Sequence, residues 1–242
     1  MRSKKLNLLM AILLALATAF TVNVITATPA AADGCYTWSR TLKRGMSGGD
    51  VTQLQIRVAG WVSYGENLAL DGSFGPATEN AVKRFQSGYG LAADGIAGPN
   101  TLNKIYALQD ADCTPIHFAY SEFDDSCGEN DFTGGKVSAA TAKENIRRIM
   151  WQLEALRRKL GDRPINISSG FRSISCNSSV GGASNSNHMY GNAADVVGSP
   201  SLCTLHSAGK SAGFEEILGP GYPGHSDHTH FGNRSSRLWG GC

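Results

Sequence analysis

The sequence predicts an α+β protein in two units: a small all-α module of three helices, then an α+β domain with a mainly antiparallel sheet. Three observations carry that expectation. Between residues 41 and 108 a helix pattern is followed by two copies of D-G-x-x-G-P-x-T, each leading into another amphipathic helix pattern. Beyond residue 136 one long apolar stripe of helical spacing precedes four short β-like runs. Six cysteines, widely spaced and with no C-x-x-C pair, point to disulfides rather than a zinc–thiolate site.

Residues 1–32 read as a secretory signal peptide. "MRSKK" is a short positive segment, "LNLLMAILLALATAFTV" is mostly apolar, and Ala30-Ala31-Ala32 offers a small-residue cleavage site. The competing reading, a retained membrane anchor, is disfavoured by the shortness of the apolar run. Cleavage after Ala32 leaves a secreted chain with no further membrane segment. Losing Arg2, Lys4 and Lys5 leaves 19 of the 22 basic residues against 20 acidic ones. A near-neutral chain without a basic stripe excludes nucleic-acid binding. Monomer is the default expectation. Of the 15 pairings open to six cysteines, neighbour pairing (Cys35–Cys113, Cys127–Cys176, Cys203–Cys242) is expected, since the first bridge would then bracket one compact segment.

The first module spans 33–108. "LKRGMSGGDVTQLQIRVAG" opens with a Gly/Ser turn, and Val51, Leu54, Ile56 and Val58 supply the apolar positions of its helix. "LDGSFGPATENAVKRFQ" and "ADGIAGPNTLNKIYAL" are the two repeats. Their glycines suit a tight turn, and Thr78 or Thr101 can cap or occupy the first helical turn. Ala81, Val82 and Phe85, then Leu102, Ile105 and Tyr106, read as core. Residues 109–135 are acidic and irregular and are read as a linker that begins the second domain, tied down by Cys113 and Cys127; His117 there is read as structural or solvated.

The second domain, 136–242, begins with a helix capped by Ser138 or Thr141, the latter at capping-box spacing from Glu144. Ile146, Ile149, Met150, Leu153, Leu156 and Leu160 form one stripe, and Gly161 is placed to end it. "PINISSGFRS", "NAADVV", "FEEILG" and "HTHFG" are the β-like runs, with a helical "SLCTLHSAGKSAG" between the second and third.

Three places in this domain hold residues able to converge: His188 and Asp195 in "SNSNHMYGNAAD", Asp227, His228 and His230 in "DHTH", and Arg172 in "SSGFRS". Catalytic zinc takes three His or carboxylate ligands and keeps one open position. His188, Asp195 and His230 can supply that set. Spacing alone leaves open the plainer alternative, in which Asp195 ends a strand in a turn and His188 is a polar loop residue.

Two resemblances bear on these choices. "GGDVTQLQ", "DGSFGPATENAVKRFQ" and "YGLAADGIAGPNT", in that order, resemble the three-helix peptidoglycan-binding domain, which implies a wall-binding module; Trp61, Tyr64 and Tyr89 are its candidate contact residues. "GGASNSNHMYGNAAD" fits the S-x-H-x-x-G-x-A-x-D pattern of the zinc D-Ala-D-Ala carboxypeptidase family, with "GFRS" and "HTH" in the family's order. That likeness implies one zinc ion on His188, Asp195 and His230, with Arg172 receiving the substrate's terminal carboxylate, for which a guanidinium's paired donors are suited. Peptidoglycan and its stem peptides are the implied partners.

If "DHTHF" is extended, His228 and His230 share a face, about 6–7 Å apart. His228 then lies where it can assist proton transfer or stabilise an oxyanion. Asp227 points the other way, but it occupies the position where some relatives carry a glutamate, so it is the second candidate. His225 is read as a loop or rim residue, and His206 as structural.

Rival readings are three. "SAGK" at Ser207 to Lys210 matches the S-x-x-K of penicillin-binding serine enzymes, although "SCN" precedes it in reversed order and K-T-G is missing. The second is a wall-binding protein without catalysis. The third is a zinc endopeptidase that cuts within the stem peptide or cross-bridge.

Overall fold

A glutamine in each of the first two helices holds the first module together. In the computed structural model, which describes residues 35–242 apart from Asp125, the helices are α1 (Gly49–Val58), α2 (Pro76–Gly88) and α3 (Pro99–Ala107). The buried Gln55 of α1 accepts from Gly72 N at 2.9 Å and donates to Asp71 Oδ1, Ser73 O and Thr78 Oγ1. The buried Gln86 of α2 does the same to Gly95, Asp94, Ile96 and Thr101. Each amide thus ties down the turn that launches the next helix, which is the physical content of the sequence repeat. The threonines sit buried inside their helices' first turns, and neither is the N-cap.

The segment 109–135 is more than a spacer. Phe118, Phe123 and Phe132 are buried in the second core with Ile146, Ile149, Leu153 and Phe171. Cys113 pairs with Cys35 and Cys127 with Cys176, while Cys203 pairs with Cys242. His117 bridges the buried Glu154 (3.0 Å to both carboxylate oxygens) and Arg157 (2.7 Å).

Helix α4 (Ala139–Lys159) is capped by Ser138, whose Oγ accepts from Thr141 N; Thr141 therefore lies inside the helix and forms no capping box. Beyond it, β1 (Asn166–Ser169), β2 (Ala193–Val197), β3 (Glu216–Leu218), β4 (Thr229–Gly232) and β5 (Leu238–Gly240) make one sheet in the order β1-β2-β4-β3-β5. Three pairings are antiparallel and the edge pairing of β3 with β5 is parallel. Strand β5 and the short α5 (Ile174–Ser179) were not expected from periodicity; three residues and six residues carry too little pattern. Helix α6 (Leu202–Gly209) lies against β4 and β3.

Helix α4 serves both units. Its Ile146, Ile149 and Leu153 face the sheet, whereas Trp151 and Ala155 enter the first module's core. There Arg57, fully buried, lies over the rings of Trp38 and Trp151 and donates to Gln53 and Gln109; burial lowers its pKa to about 9. Lys159 donates to Gly60 O at 2.8 Å and to Ser211 O, and Arg158 donates to Gly88 O. The described residues, from 35 on, consequently belong to one compact unit. Two of the three aromatic residues expected at the wall surface are used here instead. Trp61 is buried against Phe85, and Tyr89 is half-buried beneath Arg158 and Lys104, so of the three only Tyr64 is exposed.

The approach at α4 requires glycine at position 60, where a Cβ would lie 2.5 Å from Ala155 Cβ and 2.9 Å from Gln152 Cα. Overpacking of this kind costs about 1–3 kcal/mol. Gly60→Val should lower unfolding stability by about that amount in urea titrations, with circular dichroism still reporting a folded chain.

Candidate metal centre

Strands β2 and β4 pair so that Asp195 stands directly opposite His230. Directly opposed residues share a sheet face, so register alone brings the carboxylate and the imidazole together. His188 arrives from a 3-10 turn, Asn187–Tyr190, that runs into β2 through Gly191. All three side chains are buried, at 2–6% exposure. His188 Nε2 lies 3.2 Å from Asp195 Oδ1 and 3.1 Å from His230 Nδ1, and the last two atoms are 2.8 Å apart. Zinc bonds of about 2.0–2.1 Å place tetrahedral ligands about 3.3 Å from one another. Donor type and spacing both fit a single ion of that kind.

The outward atoms of the three side chains are also engaged. His188 Nδ1 donates to Gly170 O at 2.5 Å, which leaves the Nε2 lone pair pointing into the cluster. Asp195 Oδ2 accepts from a terminal nitrogen of Arg172 at 2.5 Å, and Arg172 Nε donates to Ser169 Oγ. His230 Nε2 donates to Glu216 Oε2 at 3.3 Å. Glu216 also receives Asn187 through the same oxygen and Arg234 at 2.9 Å through the other.

Charge follows from this geometry. Burial opposes ionisation of Asp195, but the imidazoles of His188 and His230 outweigh it and hold the carboxyl well below its usual range. Glu216 is likewise pushed up by burial and pulled down further by His230, to about 2. His230, despite burial, is raised to about 9 by Asp195 and Glu216, so a metal ion that took Nδ1 would displace a proton. Burial lowers the pKa of His188.

These residues floor a cavity of about 940 Å³. Arg172 and His228 line it. His228 Nε2 is 3.6 Å from Asp195 Oδ1, while its Nδ1 lies 2.8 Å from Asp227 Oδ1. Asp227 itself is 85% exposed and lies in the bend before β4, on the outer side of that imidazole. His225 is closer than a rim residue. The turns at Gly219–Tyr222 and Tyr222–His225 fold its loop back, so that its ring lies 4.8 Å from that of His228 and 5.7 Å from that of His230. His206 is buried on α6. Ser207 is exposed on α6 and Lys210 covers the Trp239 ring; neither lines the cavity, which removes the serine-enzyme reading.

Comparison with known proteins agrees with this arrangement. The Peptidase M15 profile matches residues 116–232, and that of a putative peptidoglycan binding domain matches 47–105. A zinc D-Ala-D-Ala carboxypeptidase of Streptomyces albus G is 57% identical over 210 residues, covering 86% of this chain and 82% of that protein. The chain belongs to the M15 peptidase family. Among solved structures, a peptidoglycan-binding protein from Clostridioides difficile is 43% identical over 27% of this chain and 39% of its own, at a TM-score of 0.24.

Reading the M15 domain by sequence missed Glu216 and Gly232. Glu216 sits in "FEEILG", where it reads as an ordinary strand acid. Gly232 lies opposite it in register, and a Cβ there would stand 3.1 Å from Glu216 Oε2 and 3.2 Å from His230 Nε2. The glycine leaves open the gap through which the carboxylate reaches the histidine. The only signal was the glycine two residues after His230, on the same strand face.

Partners of this type commonly govern metal affinity by about 10–100-fold. Glu216→Ala should weaken zinc binding by that range in competition with a chromogenic chelator, without loss of fold.

Proposed function

We propose that this M15 peptidase is a zinc-dependent carboxypeptidase of peptidoglycan, hydrolysing the last peptide bond of stem peptides that end in D-Ala-D-Ala and releasing D-alanine. The observation that carries this reading is the His188–Asp195–His230 cluster, lying in an open cavity with an arginine beside it. The activity named for the Streptomyces albus G relative, at 57% identity, supports it.

In this reading His188 Nε2, Asp195 Oδ1 and His230 Nδ1 hold the zinc. When bound, zinc supplies a Lewis acid for the scissile carbonyl and an acidified water. Everything else falls to the chain. Arg172, anchored by Asp195 and Ser169, turns its remaining terminal nitrogen to the substrate's C-terminal carboxylate, which limits cleavage to the final bond. His228 Nε2 faces the reacting centre and moves a proton there or donates to the developing oxyanion. Asp227 orients His228 through Nδ1 rather than acting itself. Glu216 and Gly170 fix the two zinc-binding imidazoles.

The first module, 33–108, binds the wall, with Tyr64 its exposed aromatic candidate, and residues 136–242 catalyse. Three disulfides suit an oxidising compartment, and among the described residues no helix is long and apolar enough to cross a membrane. We place the protein outside the cell, delivered by residues 1–32, which lie outside the described residues, and acting as a monomer.

Incubating the zinc-loaded protein with an acylated tripeptide ending in D-Ala-D-Ala should release free D-alanine, insensitive to penicillin and abolished by a chelator. Cleavage elsewhere in the stem would establish the endopeptidase reading instead, and no bound zinc with no turnover would leave a wall-binding protein. Arg172→Ala should lower kcat/KM by about 100-fold, the loss of about 2–3 kcal/mol from a charge-assisted contact, while retaining stoichiometric zinc. His228→Ala should lower kcat by about 10²–10⁴-fold, against roughly tenfold for Asp227→Asn, a gap that separates direct from orienting roles.

A further inference from the structure

A second arginine lies across the cluster from Arg172. The sheet order sets out Asp195 on β2, His230 on β4 and Glu216 on β3. Arg172 holds the free oxygen of Asp195, and Arg234 holds the free oxygen of Glu216. The two guanidiniums therefore flank the histidines from opposite sides. Both line the same cavity, and Arg234 is the more open, its side chain 34% exposed against 16%.

Balancing Glu216 does not require that openness. One guanidinium nitrogen meets the carboxylate, and the side chain otherwise borders the cleft beside Ser235 and Leu238. The cleft's two buried acids are each already engaged by histidine and arginine, which leaves the remaining guanidinium N–H groups of Arg172 and Arg234 as donors open to an incoming anion.

Distance sets what reaches there. Adjacent strands are about 4.7–4.9 Å apart, and Asp195 pairs with His230 while Glu216 pairs with Gly232, two residues further along β4, so their Cα atoms are about 12 Å apart. An extended peptide advances about 3.3–3.6 Å per residue. With its terminal carboxylate at Arg172, a substrate places the Cα of the residue before the D-Ala-D-Ala pair about 7 Å from the terminal Cα, and so about 8–9 Å from the carboxylate. A side chain of three or four bonds then spans the rest.

We infer that Arg234 is a specificity residue that receives a carboxylate borne on the side chain of the residue preceding the D-Ala-D-Ala pair. The inference rests on the proposed carboxypeptidase activity and on Arg172 holding the substrate's terminus. It makes the cleft a two-point anion reader, with the scissile bond strung between the points.

The test uses the full zinc-loaded chain and two isosteric probes, N-acetyl-L-Glu-D-Ala-D-Ala and N-acetyl-L-Gln-D-Ala-D-Ala, read as the ratio of their kcat/KM values for D-alanine release. The wild type should favour the Glu peptide by about tenfold or more, the factor that 1.4 kcal/mol confers, and the preference should shrink as salt is raised. Arg234→Gln should bring the ratio close to one, and Arg234→Lys should restore part of it. A wild-type ratio near one overturns the assignment. So does an Arg234→Gln variant that loses rate on both peptides equally and keeps the ratio, since that is what a purely structural tie to Glu216 predicts. Release of D-alanine from neither peptide by the wild type overturns the carboxypeptidase reading, and this inference with it.

Discussion

Asp195 and His230 face one another across a single antiparallel strand pair, and that pairing is the constraint on which the rest of the site depends. A slip of one residue in β2 or β4 would send one of the two to the opposite face of the sheet. Register is held by what lies behind it: Ala194, Val196 and Phe231, on the other face, are fully buried against α4 and α6. The hydrophobic core thus does indirectly what no hydrogen bond at the site does, which is to fix which residues can meet. His188 then needs only a short turn to join them, and its position is secured by one backbone carbonyl.

Much of this was legible in the sequence because it depends on local pattern. The three helices of the first module announce themselves through repeated turn chemistry, and α4 through an uninterrupted apolar stripe. The convergence of His188, Asp195 and His230 was nameable from family likeness, where spacing alone left it open, and His228 lies near the same cluster although it precedes β4 rather than standing in it. What escaped is nonlocal. Glu216 reaches His230 only because the register places it beside a glycine, and nothing within "FEEILG" signals that neighbour. His225 was read outward because loops rich in glycine and proline usually face water; here two successive turns fold it inward. Trp61 and Tyr89 were misread for a related reason: an aromatic residue at the edge of a helix pattern is available for ligands only if no second unit packs over it, and α4 does.

Charge in the site is arranged in alternation. Arg172, Asp195, the paired imidazoles, Glu216 and Arg234 succeed one another across the sheet, and each buried acid is bounded by bases on both sides. Isolated buried charges are costly, but a chain of this kind compensates each one locally. It also couples them, so that substitution of any member is felt by the next.

The way α4 enters both cores has a consequence for how the protein works on a polymer. A module joined by a flexible linker lets its partner sample a sphere of sites around one anchoring point, and linker length sets the local concentration of substrate ends. Here the two units share a helix, a buried arginine between tryptophans and a lysine clamp, so no such sphere exists. The cleft opens at one fixed offset from whatever the first module grips. If the first module grips the wall as proposed, each docking event presents the cleft to one place on the polymer, and reaching the next requires the whole molecule to let go and land again.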